Sequence, residues 1–267
     1  MRFKSLSELK RRDSYERVLA DLPQAIAVAE YAMAKAFKIN ELVRAVHKES
    51  YEWYGYTIAA RDEPELIVDI GLPRNDQNLV EYTSIIPESI VTYQESLPPD
   101  KVINGWIHSH GSLGFRQFSS TDEQNQLTVL NYVTALLRKP VAKKEITIKD
   151  LVLLVRGRCT VEDLARGSVS LITDAPIGEA RILETVYGGF CYAIVVGDDG
   201  WHHQEIHYGT RGILSGQTAE TKKEAEIILM HTGRSLTRGD VETLIEEVRT
   251  KVRPMSRTPE RFERGCT

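Results

Sequence analysis

The sequence predicts an α/β (α+β) fold, and three observations lead to this class. Apolar residues recur at helical spacing over residues 23–48 and 121–138. Stretches rich in aromatic and β-branched residues, which favour strands, occupy much of the chain between and after these helices. With 267 residues, the chain is long enough for one large domain, or for one domain with an appendage.

The first half of the chain predicts a long helix, several strands and a short helix. The long helix covers residues 23–48, with a break near residues 38–40 in its apolar spacing. The segments WYGYTIAA (53–60) and ELIVDI (65–70) flank the turn signal RDEP and predict a strand pair. The pattern then predicts strands at 78–86 and 101–110, and a short helix at 87–97.

The second half predicts a helix over 121–138, which ends before Pro140, and a strand at 150–157. The segments FCYAIVV (190–196) and WHHQEIHY (201–208) flank the turn GDDG and predict a hairpin. Two further helices are predicted, at 219–231 and 237–252. In the second of them an apolar stripe runs from Val241 to Val252.

The composition excludes several classes of protein. A net charge of −4 lacks the basic excess of a nucleic-acid binder, so we expect no nucleic-acid partner. The three cysteines are far apart and form no CxxC pair, which favours a reducing, cytoplasmic compartment. The first residues are charged and contain no apolar signal core, and the longest apolar runs are too short to cross a bilayer. We therefore expect no membrane association.

The stretch WIHSHGSLGFRQFSSTD (106–122) carries residues that suit a metal site. Residues two apart on a strand point to the same face, so His108 and His110 project side by side. Two imidazoles so placed suit one zinc ion, at about 2.0–2.1 Å each. Asp122, at the start of the next predicted helix, could add a carboxylate oxygen. Three protein ligands with one open position are typical of catalytic zinc.

A hydrolytic zinc site also needs a base and a group that stabilises the oxyanion. Glu52 is our choice for the base, and Ser119 could donate a hydrogen bond to the oxyanion. Glu49 is the alternative base, but it lacks the glycine that follows Glu52 in YEWYG. The alternative for the whole stretch is structural, with ordinary histidines and with Ser120 and Glu123 forming a capping box.

The series Glu52, His108-Ser109-His110 and Ser119-x-x-Asp122 resembles the JAMM motif of the JAB/MPN metalloprotease family, of prokaryotic, deubiquitinase-like type. The segment GWIHSH, the Glu-x-x-Gly at Glu52 and the predicted hairpin are also similar, so the resemblance covers roughly residues 40–210. It implies a cytidine-deaminase-like mixed β-sheet flanked by helices. It also implies a Zn2+ ion on His108, His110 and Asp122, with Glu52 as general base and Ser119 at the oxyanion.

The resemblance further implies the reaction, the partner and the organisation of the chain. The expected activity is hydrolysis, by zinc-activated water, of the bond after the C-terminus of a ubiquitin-like protein, in its conjugates or its precursor. The catalytic domain would cover residues 39–210, with an insertion at about 140–188. An N-terminal helical extension (1–38) and a C-terminal helical extension (211–267) would flank it. A non-catalytic MPN-like scaffold is one alternative, and a relative acting on a small amide, a carrier-protein conjugate or a DNA-linked substrate is another.

Two departures from the family pattern affect the loop before Asp122. Eight residues separate His110 from Ser119, one more than usual, so either the loop bulges or Phe118 takes the serine position. We favour the bulge, because Ser119 keeps the Ser-x-x-Asp step. Gly111 stands where many eukaryotic members have proline, and glycine allows the loop a wider range of backbone conformations.

Two other features have a metal or substrate interpretation and a structural one. Trp106 shares a strand face with His108, and it either lines a substrate groove or packs in the core. His203 and His207 would lie about 13 Å apart on a strand, too far to share one ion, so we favour a solvated strand over a second zinc.

Overall fold

The computed structural model describes residues 15–78, 85, 87–112, 114–149 and 179–254. The chain divides into two compact units. The larger unit contains Leu22–Lys139, Gly188–Thr210 and Thr218–Thr267. The smaller unit contains Met1–Asp21, Pro140–Tyr187 and Arg211–Gln217.

The described residues form four helices and thirteen strands. The helices are α1 (Glu30–His47), α2 (Pro87–Ser96), α3 (Ser120–Leu137) and α4 (Arg238–Lys251). The strands are β1 (Glu16–Val18), β2 (Ile26–Ala29), β3 (Tyr54–Ala60), β4 (Leu66–Ile67), β5 (Asp69–Gly71), β6 (Asn75–Asn78), β7 (Lys101–Ser109), β8 (Lys139–Lys149), β9 (Glu179–Val196), β10 (His202–Gly212), β11 (Thr218–Glu224), β12 (Ile227–Met230) and β13 (Val252–Pro254).

The main sheet of the larger unit is mixed. Strand β3 pairs antiparallel with β5 and β7, and β7 pairs parallel with the second part of β9. Strand β10 pairs with β9 and with β11. Strands and helices of this kind confirm the mixed α/β class that the sequence predicts.

Strand alternation puts different residues of the main sheet on its two faces. On one face, Ile107 and Ile194 belong to a core cluster with α1 and α4. On the other face, the neighbouring Trp106 and Ala193 belong to a cluster with Val129 and Val133 of α3. Since residues two apart share a face, His108 is on the side that packs against α3.

The smaller unit contains antiparallel strands β1 and β8, with Glu16 opposite Lys144, and the first part of β9 next to β8. The buried carboxylate of Glu184 on β9 accepts hydrogen bonds from the backbone N–H groups of Leu214 and Ser215, at 3.2 and 3.0 Å. It also accepts one from the hydroxyl of Ser215, at 2.9 Å. These bonds join β9 to the turn that follows β10.

Two predictions of helical structure were wrong. Residues 219–231 are not helical; they form β11 and β12, and β12 pairs parallel with β2, with Ile227 opposite Ile26. Residues 26–29 are the strand β2, so the first helix begins only at Glu30, and it continues to His47 without a break at residues 38–40. Pairing between distant strands overrides the helical propensity of both segments.

The other predicted elements are confirmed where they are described. The structure contains helices α2, α3 and α4, strand β7 and the hairpin of β9 and β10. The strand predicted at 65–70 is divided in two: β5 pairs with β3 as expected, whereas β4 pairs with β2 in a separate sheet. The strands predicted at 78–86 and 150–157 lie outside the described residues, apart from Asn78 and Ile85. The division into extensions and a catalytic domain stays a prediction. Among the helices described, none has the length and apolarity needed to cross a membrane.

Candidate metal centre

Strand β7 and helix α3 bring three potential ligands together in the larger unit. Nε2 of His108 lies 3.1 Å from Nε2 of His110 and 3.1 Å from Oδ1 of Asp122. Nε2 of His110 lies 3.3 Å from Oδ2 of Asp122. All three residues are buried, with 0%, 3% and 4% exposure. The structure therefore contains a group that could hold a metal ion.

The separations of the three ligand atoms fit a tetrahedral metal. Two ligands about 2.0–2.1 Å from a tetrahedral zinc lie about 3.3 Å from each other, close to the 3.1–3.3 Å observed. Nδ1 of His110 donates to the carbonyl oxygen of Phe115 at 2.8 Å, since a carbonyl can only accept. In the neutral ring this bond leaves the lone pair of Nε2 for a metal.

Packing holds the ring of His108. Trp106 stacks on it with a centroid distance of 4.4 Å and an interplanar angle of 9°. Nδ1 of His108 is buried and has no hydrogen-bond partner within the described part of the chain. Trp106 is itself fully buried, so it supports the ligand from the core and does not line a groove.

The charges of the three residues depend on one another. Burial raises the pKa of Asp122, but hydrogen bonds from His108 and His110 outweigh this effect and hold it well below its usual range. Burial lowers the pKa of His108, and the nearby Asp122 offsets this only in part. Burial also lowers the pKa of His110, but Asp122, the Phe115 carbonyl and Glu52 raise it above its ordinary value. The ionised carboxylate of Asp122 thus accepts hydrogen bonds from the histidine rings and favours the protonated form of His110.

Ser119 and Asp122 together form the N-terminal cap of α3. Oγ of Ser119 accepts a hydrogen bond from the backbone N–H of Asp122, and Oδ2 of Asp122 accepts one from the backbone N–H of Ser119 at 2.6 Å. The predicted alternative, a box of Ser120 and Glu123, is wrong by one position. The real box orients Asp122 towards the histidines, and the ring of Phe118 lies 5.8 Å from that of His108.

The pairing of β3 with β7 indicates where Glu52 lies relative to His110. Tyr54 is opposite His108 in the antiparallel register, and the backbone N–H of Ser109 donates to the carbonyl of Trp53. Continuing this register puts Glu52 opposite His110. Glu52 is 5% exposed, and its charge acts on His110. Glu49, by contrast, is exposed, and its carboxylate accepts a hydrogen bond from the hydroxyl of Tyr51.

The loop after His110 begins with a tightly constrained glycine. Gly111 has φ +52°, a value that proline cannot adopt. A Cβ atom at Gly111 would lie 2.4 Å from Oγ of Ser50. The glycine therefore allows a close approach between this loop and the segment that carries Glu52.

Sequence reasoning missed the aromatic residues next to the ligands. The ring of Phe115, half exposed, stacks 5.9 Å from His110, and Trp201 meets the same imidazole at 6.1 Å. The guanidinium of Arg116 lies 5.7 Å from the Trp201 ring. No residue pattern connects Trp201 to His110. The parallel pairing of β7 with β9, which aligns their C-terminal ends, brings the two residues together.

The histidines of β10 have separate partners. Nδ1 of His202 lies 2.8 Å from Gln204, His203 is 3.7 Å from Glu224, and His207 is 3.0 Å from Glu205. Within the described ranges, His108, His110 and Asp122 are the one group of three or more histidine, cysteine or acidic side chains close enough together to hold a metal.

No family model matches this chain, and no curated protein matches it.

Proposed function

We propose that this protein is a zinc-dependent peptidase or isopeptidase of the JAB/MPN type. In this proposal it hydrolyses the bond that follows the C-terminus of a ubiquitin-like protein, in a conjugate or in a precursor. The observation that carries the proposal is the buried group of His108, His110 and Asp122. The β3–β7 register, continued two residues beyond the Tyr54–His108 pair, puts Glu52 opposite His110. Two imidazoles and one carboxylate leave a fourth position open, which is typical of catalytic rather than structural zinc.

The three ligands would be Nε2 of His108, Nε2 of His110 and a carboxylate oxygen of Asp122. Zinc, when bound, supplies Lewis-acid chemistry that lowers the pKa of water and polarises a carbonyl group. Asp122 needs no unusual pKa for this role, because an ordinary aspartate, with a pKa of about 3.9, is already ionised near neutral pH and available as a ligand.

Glu52 and Ser119 have the remaining roles. Glu52 takes the proton of the attacking water and returns it to the amine that leaves, because its carboxylate is buried beside His110. The hydroxyl of Ser119 accepts a hydrogen bond from the backbone N–H of Asp122, and a hydroxyl that accepts can still donate its proton. Ser119 donates that proton towards the oxyanion.

The test compares Glu52→Gln with the matched variant Glu49→Gln in the zinc-loaded protein. The substrates are ubiquitin-like proteins fused to a short peptide, or joined to a lysine side chain. We expect Glu52→Gln to lower kcat by about 10²–10⁴-fold, because proton transfer in the transition state is lost. Glu49 is exposed, so Glu49→Gln should keep the wild-type rate. Zinc content should stay the same in both variants.

Undiminished turnover by Glu52→Gln would contradict the assigned base. Zinc binding without cleavage of any fusion would contradict the substrate class and favour a scaffold role. Failure to bind zinc would contradict the proposal as a whole.

A further inference from the structure

The tip of the hairpin between β9 and β10 carries an aspartate, Asp198, that has several side-chain and backbone partners. Asp198 and Asp199 are adjacent in the turn GDDG, but they differ in environment. Asp199 is exposed, whereas the side chain of Asp198 is only 9% exposed. The backbone of this turn is fixed to the loop that follows His110, because the N–H of Asp198 donates a hydrogen bond to the carbonyl of Gly111 at 3.0 Å.

The two carboxylate oxygens of Asp198 bind two different segments. Oδ1 accepts a hydrogen bond from Nδ2 of Asn40 on α1, at 2.8 Å. Oδ2 accepts one from the hydroxyl of Ser50, at 3.0 Å. The guanidinium of Arg44 is 3.8 Å from Oδ2 and adds a favourable charge. Charge-assisted hydrogen bonds of this kind are stronger than neutral ones.

These contacts hold the backbone on both sides of Glu52. Ser50 is two residues before Glu52 and binds Asp198 directly. Trp53 is the residue after Glu52, and its indole N–H donates to Oδ1 of Asn40 at 3.0 Å. Because Asn40 also donates to Asp198, one carboxylate fixes the entry and the exit of the Glu52 segment. The ligand His110 is held differently, by its backbone N–H to the carbonyl of Val196.

We propose that Asp198 is a positioning residue that sets the location of Glu52 relative to the metal centre. The role of Glu52 as a base rests on the proposed function. The contacts by which Asp198 holds Ser50 directly and Trp53 through Asn40, here called the clamp, do not depend on it. Within the part of the chain that the structure describes, the side chain of Asp198 makes no hydrogen bond or ion pair with His108, His110 or Asp122, the three potential ligands. Its removal should therefore displace the base and leave the metal in place.

The test uses Asp198→Ala, Asp198→Asn and the matched control Asp199→Ala in the zinc-loaded protein. Asp198→Ala should lower kcat by about 10–100-fold with little change in KM, because small misplacements of a reacting group are costly. Asp198→Asn should recover most of this loss. Its amide oxygen can accept from Asn40, and its NH2 group can donate to Ser50 Oγ. Asp199→Ala should behave as wild type.

Two measurements need no substrate. Amide hydrogen exchange of residues 50–54 should become faster in Asp198→Ala but not in Asp199→Ala. Zinc affinity should be equal in all variants. If Asp198→Ala does not fold, Ser50→Ala, which removes one contact, replaces it and should show the same changes to a smaller degree.

The outcomes separate this inference from the proposed function. Unchanged exchange at residues 50–54 overturns the clamp, whether or not a substrate has been found. Faster exchange with an unchanged kcat on a cleaved substrate overturns the positioning role. Absence of any cleaved substrate, together with faster exchange, contradicts the proposed function and leaves the clamp supported.

Discussion

Single residues at the edges of the metal centre set its geometry. The three potential ligands lie within fifteen positions of the chain, so strand alternation and a helix start suffice to predict that they lie close together. Gly111 is different, because two constraints meet at this position. Its φ of +52° disfavours any residue with a side chain, and Oγ of Ser50 occupies the space where a Cβ atom would be.

We expect Gly111→Ala to destabilise the protein and weaken metal binding. A left-handed backbone costs a residue with a Cβ about 1–2 kcal/mol, and Ser50 must also give up its place beside Asp198. For a protein of this size the loss corresponds to about 2–8 °C in Tm. Thermal denaturation and competition with a zinc chelator measure the two effects.

Gly114→Ala is the matched control, since a Cβ at Gly114 would have no atom within 4 Å. It lies in the same loop and should leave Tm and zinc affinity unchanged. Equal losses in both variants would mean that the loop, and not the backbone conformation of Gly111, is responsible.

Elements that depend on distant pairing were the ones that sequence patterns predicted poorly. The segment TAETKKEAEIILM is rich in good helix formers, yet it forms β11 and β12. Strand β12 pairs with β2, about 200 positions earlier, and local propensity contains no information on that partner. Strand β7 and helix α3 were predicted well because their periodicity is local. The position of Glu52 needed the β3–β7 register in addition.

The turn after β10 provides a prediction about pH. The backbone N–H of Ser215 lowers the pKa of Glu184; burial opposes this, but further donors keep the pKa below its ordinary value. A group whose pKa is lower in the folded state adds stability above its unfolded pKa, about 4.3 for Glu. This stability is lost as the pH falls from that value through the folded pKa.

We therefore expect Glu184→Gln to be less stable than wild type at pH 7, with a difference that narrows steadily below about pH 4.3. Ser215→Ala, which removes one donor to the carboxylate, should reproduce part of the loss at pH 7. Thermal denaturation at several pH values between 3 and 7 measures both. A difference between Glu184→Gln and wild type that stays constant over this range would show that the charge of Glu184 is not involved.

The whole chain divides into two units, and every residue of the metal group belongs to the larger one. In that unit the sheet has core clusters on both faces, and the metal group lies where β7 ends against the start of α3. The three potential ligand atoms already lie 3.1–3.3 Å from one another in a packed core, so they need little rearrangement to bind an ion. The free energy of metal binding should therefore appear largely as stability of the folded protein.

We expect added zinc to raise the Tm of the larger unit, with about one ion bound per chain. A ligand present at 100 times its Kd stabilises the folded state by about 2.7 kcal/mol, or about 5–10 °C in Tm for a chain of this length. Calorimetry of the metal-free protein with and without zinc measures the shift. Where two transitions are resolved, the midpoint of only one of them should move.

Two histidine variants serve as controls. His110→Ala should abolish the shift, since it removes a ligand. His207→Ala should retain the shift, because His207 pairs with Glu205 on β10. An equal shift in His110→Ala would place the ion elsewhere on the molecule.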